Sequence, residues 1–350
     1  MALGLVLLVV LVWRIGFGRI WDALSSLNWR LIPLVAAIGV SEFVHVIAWR
    51  HCLTEHFRTI SLARLFGISM SGYAINYLTP TASLGGDMTK ALQLSSRGGM
   101  AEAVAAVLIN KLSFAIAHML LVFAGCIWVL EQLTLPRSLL IPLLISAGAL
   151  GIGIVTFLIL QKRGKLGALL RWMAERSAAG PVLQKREQAI NRVDESLRTF
   201  YRTRSFDFAL SVAWHLLGYA VGILQTWYLL MLTGRPDLLA AVGVWFLGIW
   251  FEFLTFAVPL NLGTLEAGSM IAFGAVGRSA ATGMAYGIGI RLAQLFWAGF
   301  GLAIYLWRPR REEKQNNVPV NGHEFPNGVA PSKEADKGEA ATLRTRRLGM

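Results

Sequence analysis

Nine residues carry the chemistry of this 350-residue chain: Gly85, Gly86, Asp87, Lys90, Lys111, Glu252, Gly263, Glu266 and Arg291. Asp87 and Lys90 stand three apart, so on a helix they share a face, and they directly follow Gly85 and Gly86. Glycines let the backbone turn, and a helix N-terminus offers partial positive charge and free N–H donors to an anion. The pattern reads as a phosphate-capture motif. It reads equally as an ordinary helix start, with Asp87 on the dipole and Lys90 at a lipid surface. Lys111 and Arg291 lie inside long apolar runs, where an ionised side chain costs at least about 2.5–3.5 kcal/mol. Such cations face a cavity or an acid. Asp87 and Glu266 are the acids expected, paired across an interface between two halves of the chain. Structural ion pairs, or snorkelling of Lys111, are the alternatives. Glu252, inside Trp250–Phe251–Glu252–Phe253, is a proton carrier, a substrate contact or a satisfied buried acid. Glu42 and His45 share a helical face, as a proton relay or a polar seam; His118 and His215 read as packing or interhelical hydrogen bonds. His51, Cys52 and His56 lack metal-ligand spacing. No P-loop, GxSxG, HExxH or CxxC array is present, so no catalytic residue, metal, cofactor or enzyme activity is expected.

The elements that position these residues must be membrane helices. The chain is 55% hydrophobic and only 15% charged, with mean hydropathy +0.55. Soluble domains run about 45–50% apolar and about 25% charged, so a water-soluble globule, a disordered chain and a disulfide scaffold are excluded. The two cysteines, Cys52 and Cys126, read as buried inert thiols. Apolar runs long enough to span are Leu31–Ala48, Ala103–Leu130, Leu139–Leu160, Phe206–Leu232 and Ala281–Trp307. A shorter run, Ala2–Trp13, is broken by Arg14 and is no convincing signal peptide. Leu62–Thr79 stops at Pro80 and is followed by a half-helix at Leu84–Ser95; Leu238–Val258 stops at Pro259 and is followed by one at Leu262–Val276. Twelve tryptophans fit an interfacial belt, Trp29, Trp49 and Trp307 among them.

Those two stretches form an internal repeat. Asp87 lies seven residues after Pro80, and Glu266 seven after Pro259; Lys111 and Arg291 follow the prolines by 31 and 32. The net charge of +13 is concentrated in segment 161–205, at +7, and tail 308–350, at +3. The positive-inside rule makes both cytoplasmic, where they meet anionic lipid headgroups rather than nucleic acid. Leu166, Leu169, Leu170 and Met173 predict an amphipathic helix on the membrane face. With that orientation the two repeats enter from opposite sides, a transporter signature; Arg14, Arg19 and Arg30 then fall outside, against the rule. The expected fold is an all-α polytopic membrane protein, with inverted repeats and two re-entrant or broken helix hairpins. Repeat one covers about 31–130, repeat two about 206–307, within a transmembrane domain 1–307; 161–205 is a basic connector and 308–350 a disordered basic tail.

On Pro80, Gly85–Gly86–Asp87, Lys90, Lys111, Pro259, Gly263, Glu266 and Arg291, the chain resembles the flippase-like transmembrane domain of lysylphosphatidylglycerol synthases and its stand-alone relatives. The resemblance covers about residues 1–307. It implies inverted repeats, re-entrant helices and movement of a lipid, or lipid-linked headgroup, between leaflets of the cell (inner) membrane. Family members often carry an acid–Arg pair where this chain has Asn110–Lys111, and no aminoacyl-transferase domain follows. The partner expected is a membrane lipid with an anionic headgroup. The alternative is a non-transporting accessory or assembly protein of a lipid or envelope pathway, docking its enzymes.

Overall fold

The structure, a computed structural model, describes residue 29 and residues 31–79, 84–132, 137–165, 168, 187–232, 237–254 and 264–307. Among these, the regular structure is helical throughout: α1 (Leu31–His51), α2 (Leu62–Leu78), α3 (Leu84–Ser95), α4 (Met100–Gln132), α5 (Arg137–Lys162), α6 (Glu187–Thr203), α7 (Ser205–Leu232), α8 (Leu238–Leu254), α9 (Thr264–Ala275) and α10 (Ala280–Trp307), with a 3₁₀ turn at Glu55–Phe57. The expected N-terminal run, Pro80, Pro259, Gly263, the residues Leu166, Leu169, Leu170 and Met173, and the tail 308–350 lie outside the described residues.

Among the described residues, five helices, α1, α4, α5, α7 and α10, are long and apolar enough to cross a membrane. In hydrocarbon every backbone polar group must be bonded within the protein, which only a helix or a closed barrel achieves. α2 and α8 are shorter, at 17 residues each, and α3 and α9 have 12 each. Local signals set their starts. Ser61 accepts the Arg64 N–H ahead of α2, and Asp237 accepts from the N–H groups of Leu239 and Ala240 ahead of α8, satisfying donors that a helix start leaves unpaired.

Most helix contacts are kept when α1–α4 are exchanged with α7–α10. α1 lies against α7; α2 packs on α10 as α8 packs on α4; and each short helix, α3 or α9, contacts the helix before it and the one after. Small residues allow these approaches, as lipid-embedded helices require. A Cβ on Gly301 of α10 would overlap the Met70 carbonyl of α2, and Gly67, Ser69, Ser71, Gly72 and Ala74 of α2 are all buried. Trp297 reaches from α10 to α1, donating its Nε1–H to the Val35 carbonyl at 2.8 Å.

The basic connector contains one helix that sequence reasoning did not resolve. α6 buries Leu197, Phe200 and Tyr201 against α4 and α5, and the Tyr201 hydroxyl donates to the buried Gln161 Oε1 at 2.7 Å. Its apolar face is therefore committed to protein. Both cysteines are free and buried.

Candidate functional site

Two ion pairs define the interior. Lys111 lies eleven residues into α4 and Arg291 eleven into α10, so each sits about 17 Å along its helix at 1.5 Å per residue. Their acids stand in the first turns of α3 and α9, where the helix dipole favours a carboxylate. The Lys111 ammonium is bonded to Asp87 Oδ2. The Arg291 guanidinium grips Glu266 with two donors, Nε to Oε1 and Nη2 to Oε2, the latter at 2.8 Å. Such a fork fixes geometry as well as charge. The pairs therefore close within each half, not across the interface between halves as expected from sequence. The reason is the short loop: it turns α3 back beside α4, and α9 back beside α10, before the chain meets its other half.

Gly86 serves packing and its own hydrogen bond together. A Cβ there would overlap the Gly72 carbonyl and the Asn76 side chain, and its N–H donates to Asn76 Oδ1 at 2.7 Å. That donor is engaged, so it is not the free anion-binding N–H anticipated at Gly85–Gly86. Gly85 contributes its carbonyl to Thr89 Oγ1 at 2.8 Å. Lys90, one turn beyond Gly86, points inward: its ammonium lies 5.6 Å above the ring of Trp49, and Trp49 is buried rather than part of an interfacial belt. Lys90 is within electrostatic reach of Glu42, His45 and His215.

Glu252, half-buried on α8, is within electrostatic reach of Arg291. Tyrosines that sequence reasoning passed over complete the polar interior. Tyr73 and Tyr77, one turn apart on α2, have rings 6.0 Å apart and nearly parallel; Tyr77 is also within electrostatic reach of the Arg291 side chain. Tyr73, Tyr219 and Tyr286 each feel Glu252. Their signal was the i, i+4 spacing of Tyr73 and Tyr77 in a Gly/Ser-rich helix. Asn110 turns away from Lys111's partner and bonds His215 instead, at 3.3 Å. Gly263 lies outside the described residues. Among the described residues, no group of three or more His, Cys, Asp or Glu is placed to hold a metal.

Five apolar spans around an interior carrying opposed charges define a helical, polytopic membrane protein. More particularly, the chain belongs to the family described as lysylphosphatidylglycerol synthase TM region, which matches residues 1–303. No curated protein and no solved structure gives a significant match.

Proposed function

We propose that this chain moves a phospholipid, or a lipid-linked headgroup, between the leaflets of the cell inner membrane. One observation carries the reading: the two halves hold matching acid–cation pairs, Asp87–Lys111 and Glu266–Arg291, each tying a short helix to the long one that follows. Family membership supports it. In this reading α2–α3 and α8–α9 are hairpins entering from opposite faces, and the halves are inverted repeats that rock against each other. Segment 161–205 and tail 308–350 face the cytoplasm, where their basic residues meet anionic headgroups. Lys90, which forms no ion pair among the described residues, meets the phosphate first. Lys111 and Arg291 receive it as their carboxylates yield, Gly85 and Gly263 let the backbone approach, and Glu252 is positioned to exchange a proton. Acyl chains stay in lipid, and attraction at low dielectric offsets the headgroup's desolvation. The chain acts as a transporter and not as an enzyme.

Reconstituted into liposomes, the protein is expected to transfer fluorescent phosphatidylglycerol between leaflets. Lys90→Gln and Lys111→Ala should each slow transfer roughly ten- to a hundredfold, since a hydrogen bond to a charged group contributes about 1.5–3 kcal/mol. Wild-type rates in both variants would remove the site. Single cysteines placed at Ser83 and at Ala267, which is exposed, should label from opposite membrane faces; labelling from one face would exclude inverted repeats.

A further inference from the structure

Two histidines from the exchangeable helices α1 and α7 are bonded to each other. His45 Nδ1 and His215 Nδ1 are 2.9 Å apart, and His215 Nε2 is 3.3 Å from Asn110 Oδ1 on α4. An amide oxygen only accepts, so His215 Nε2 carries a hydrogen. A neutral imidazole carries one, so His215 Nδ1 is the acceptor and His45 Nδ1 the donor. His45 Nε2 is left with a lone pair. A proton arriving there makes His45 an imidazolium, whose Nδ1–H still donates to His215, and no bond breaks. A second proton would have to occupy His215 Nδ1, removing the acceptor and opposing two cations. The pair therefore holds one proton and no more.

Its surroundings bear on that proton from every side. Glu42 stands on α1 one turn before His45. Lys90 on α3 opposes a cation on the pair. Tyr219 on α7 and Phe114 on α4 meet the His45 ring edge-on, at 5.4 and 5.3 Å, and His118 on α4 stands behind Tyr219. Tyr73 on α2 and Glu252 on α8 complete the set through Glu42 and Tyr219. The pair also sits where the halves meet. Ser41 Oγ donates to the Gly218 carbonyl at 2.9 Å, and a Cβ on Gly218 would stand 2.5–2.9 Å from atoms of the His45 ring. Charge loaded here acts on the contact between α1 and α7.

We infer that the His45–His215 pair is a one-proton site, and that its proton is taken up together with an anionic headgroup held by Lys90. This rests on the transport reading above. A phosphate on Lys90 cancels the positive field that opposes protonation, and by linkage the proton raises headgroup affinity by the same factor. Chains of ionisable side chains within a membrane are the material of proton relays.

The test uses the full chain with ¹⁵N-labelled histidine in lipid nanodiscs. In neutral-lipid discs at alkaline pH, His215 should show the Nε2–H tautomer and His45 the Nδ1–H tautomer. On acidification His45 alone of the two should become imidazolium. Peaks are assigned with His45→Gln or, where that variant does not fold, His215→Gln. Lys90→Gln, lacking the opposing charge, should titrate His45 at higher pH. Replacing phosphatidylcholine by phosphatidylglycerol should shift wild type the same way by more than it shifts Lys90→Gln. Reversed tautomers, two imidazolium rings or equal lipid shifts would overturn the proposal. In liposomes, an imposed pH gradient should change phosphatidylglycerol transfer by wild type and leave that by His45→Gln unchanged. Wild-type transfer indifferent to the gradient overturns the coupling alone. Absence of wild-type transfer overturns the transport reading, while the tautomer and titration results still decide the proton site.

Discussion

Arg291→Ala is expected to lower stability by about 3–5 kcal/mol, the cost of breaking a buried ion pair from one side, and to abolish lipid transfer. The Arg291 side chain is 3% exposed and Glu266 19%, so the truncation strands a carboxylate largely shielded from water. Denaturation in detergent micelles reads the first effect, and liposome transfer the second. The decisive comparison is the double variant Glu266→Met with Arg291→Met. Replacing both charges by apolar groups of similar volume is often neutral for stability, so this protein should fold nearly as well as wild type and still fail to move lipid. A double variant that transfers at the wild-type rate would reduce the pair to scaffolding. Lys111→Ala should cost less stability, because that side chain is 41% exposed and such pairs contribute about 0.2–1 kcal/mol.

The second large effect belongs to Gly86. In Gly86→Val, the new side chain meets the Gly72 carbonyl, which is backbone and has no rotamer to escape through. Overpacking costs about 1–3 kcal/mol, and loss of the Asn76 bond to the Gly86 N–H adds about 1–3 kcal/mol for a stranded donor. The two together predict about 2–6 kcal/mol, read as the same denaturation shift. α3 must move away from α2, carrying Lys90 out of its place over Trp49. Gly148→Val is the control. Nothing lies within 4 Å of the Cβ direction there, so that change should fall within about 1 kcal/mol of neutral, the scale of helix propensity differences. Equal losses at both positions would show that the α2–α3 contact is not the constraint inferred.

Much of this was legible in one dimension. The half-helix expected at Leu84–Ser95 is α3, and the five spans lie within a few residues of their predicted bounds, because a membrane helix declares itself by length and apolarity. The matching positions of Asp87 and Glu266, Lys111 and Arg291, were likewise visible as spacing. Partner choice was not. Lys111 had two acids available in sequence, and only the fold-back of α3 onto α4 selects Asp87. Trp49 looked like a belt residue and is buried beneath Lys90. Helix α6 was hidden in a basic segment because its apolar residues cover protein, not lipid.

The sequence alone determined that this chain lives in a membrane, and that each half places one acid and one cation at matched positions. These are properties of composition and spacing, and the bilayer reads them residue by residue. The tertiary structure alone decided which acid holds which cation, that the Gly86 N–H is already engaged, and that His45 and His215, 170 residues apart, share one hydrogen bond. Inside lipid an apolar face carries little information about its neighbour, so close backbone approach and buried polar pairing set the contacts, and both exist only once the helices have packed.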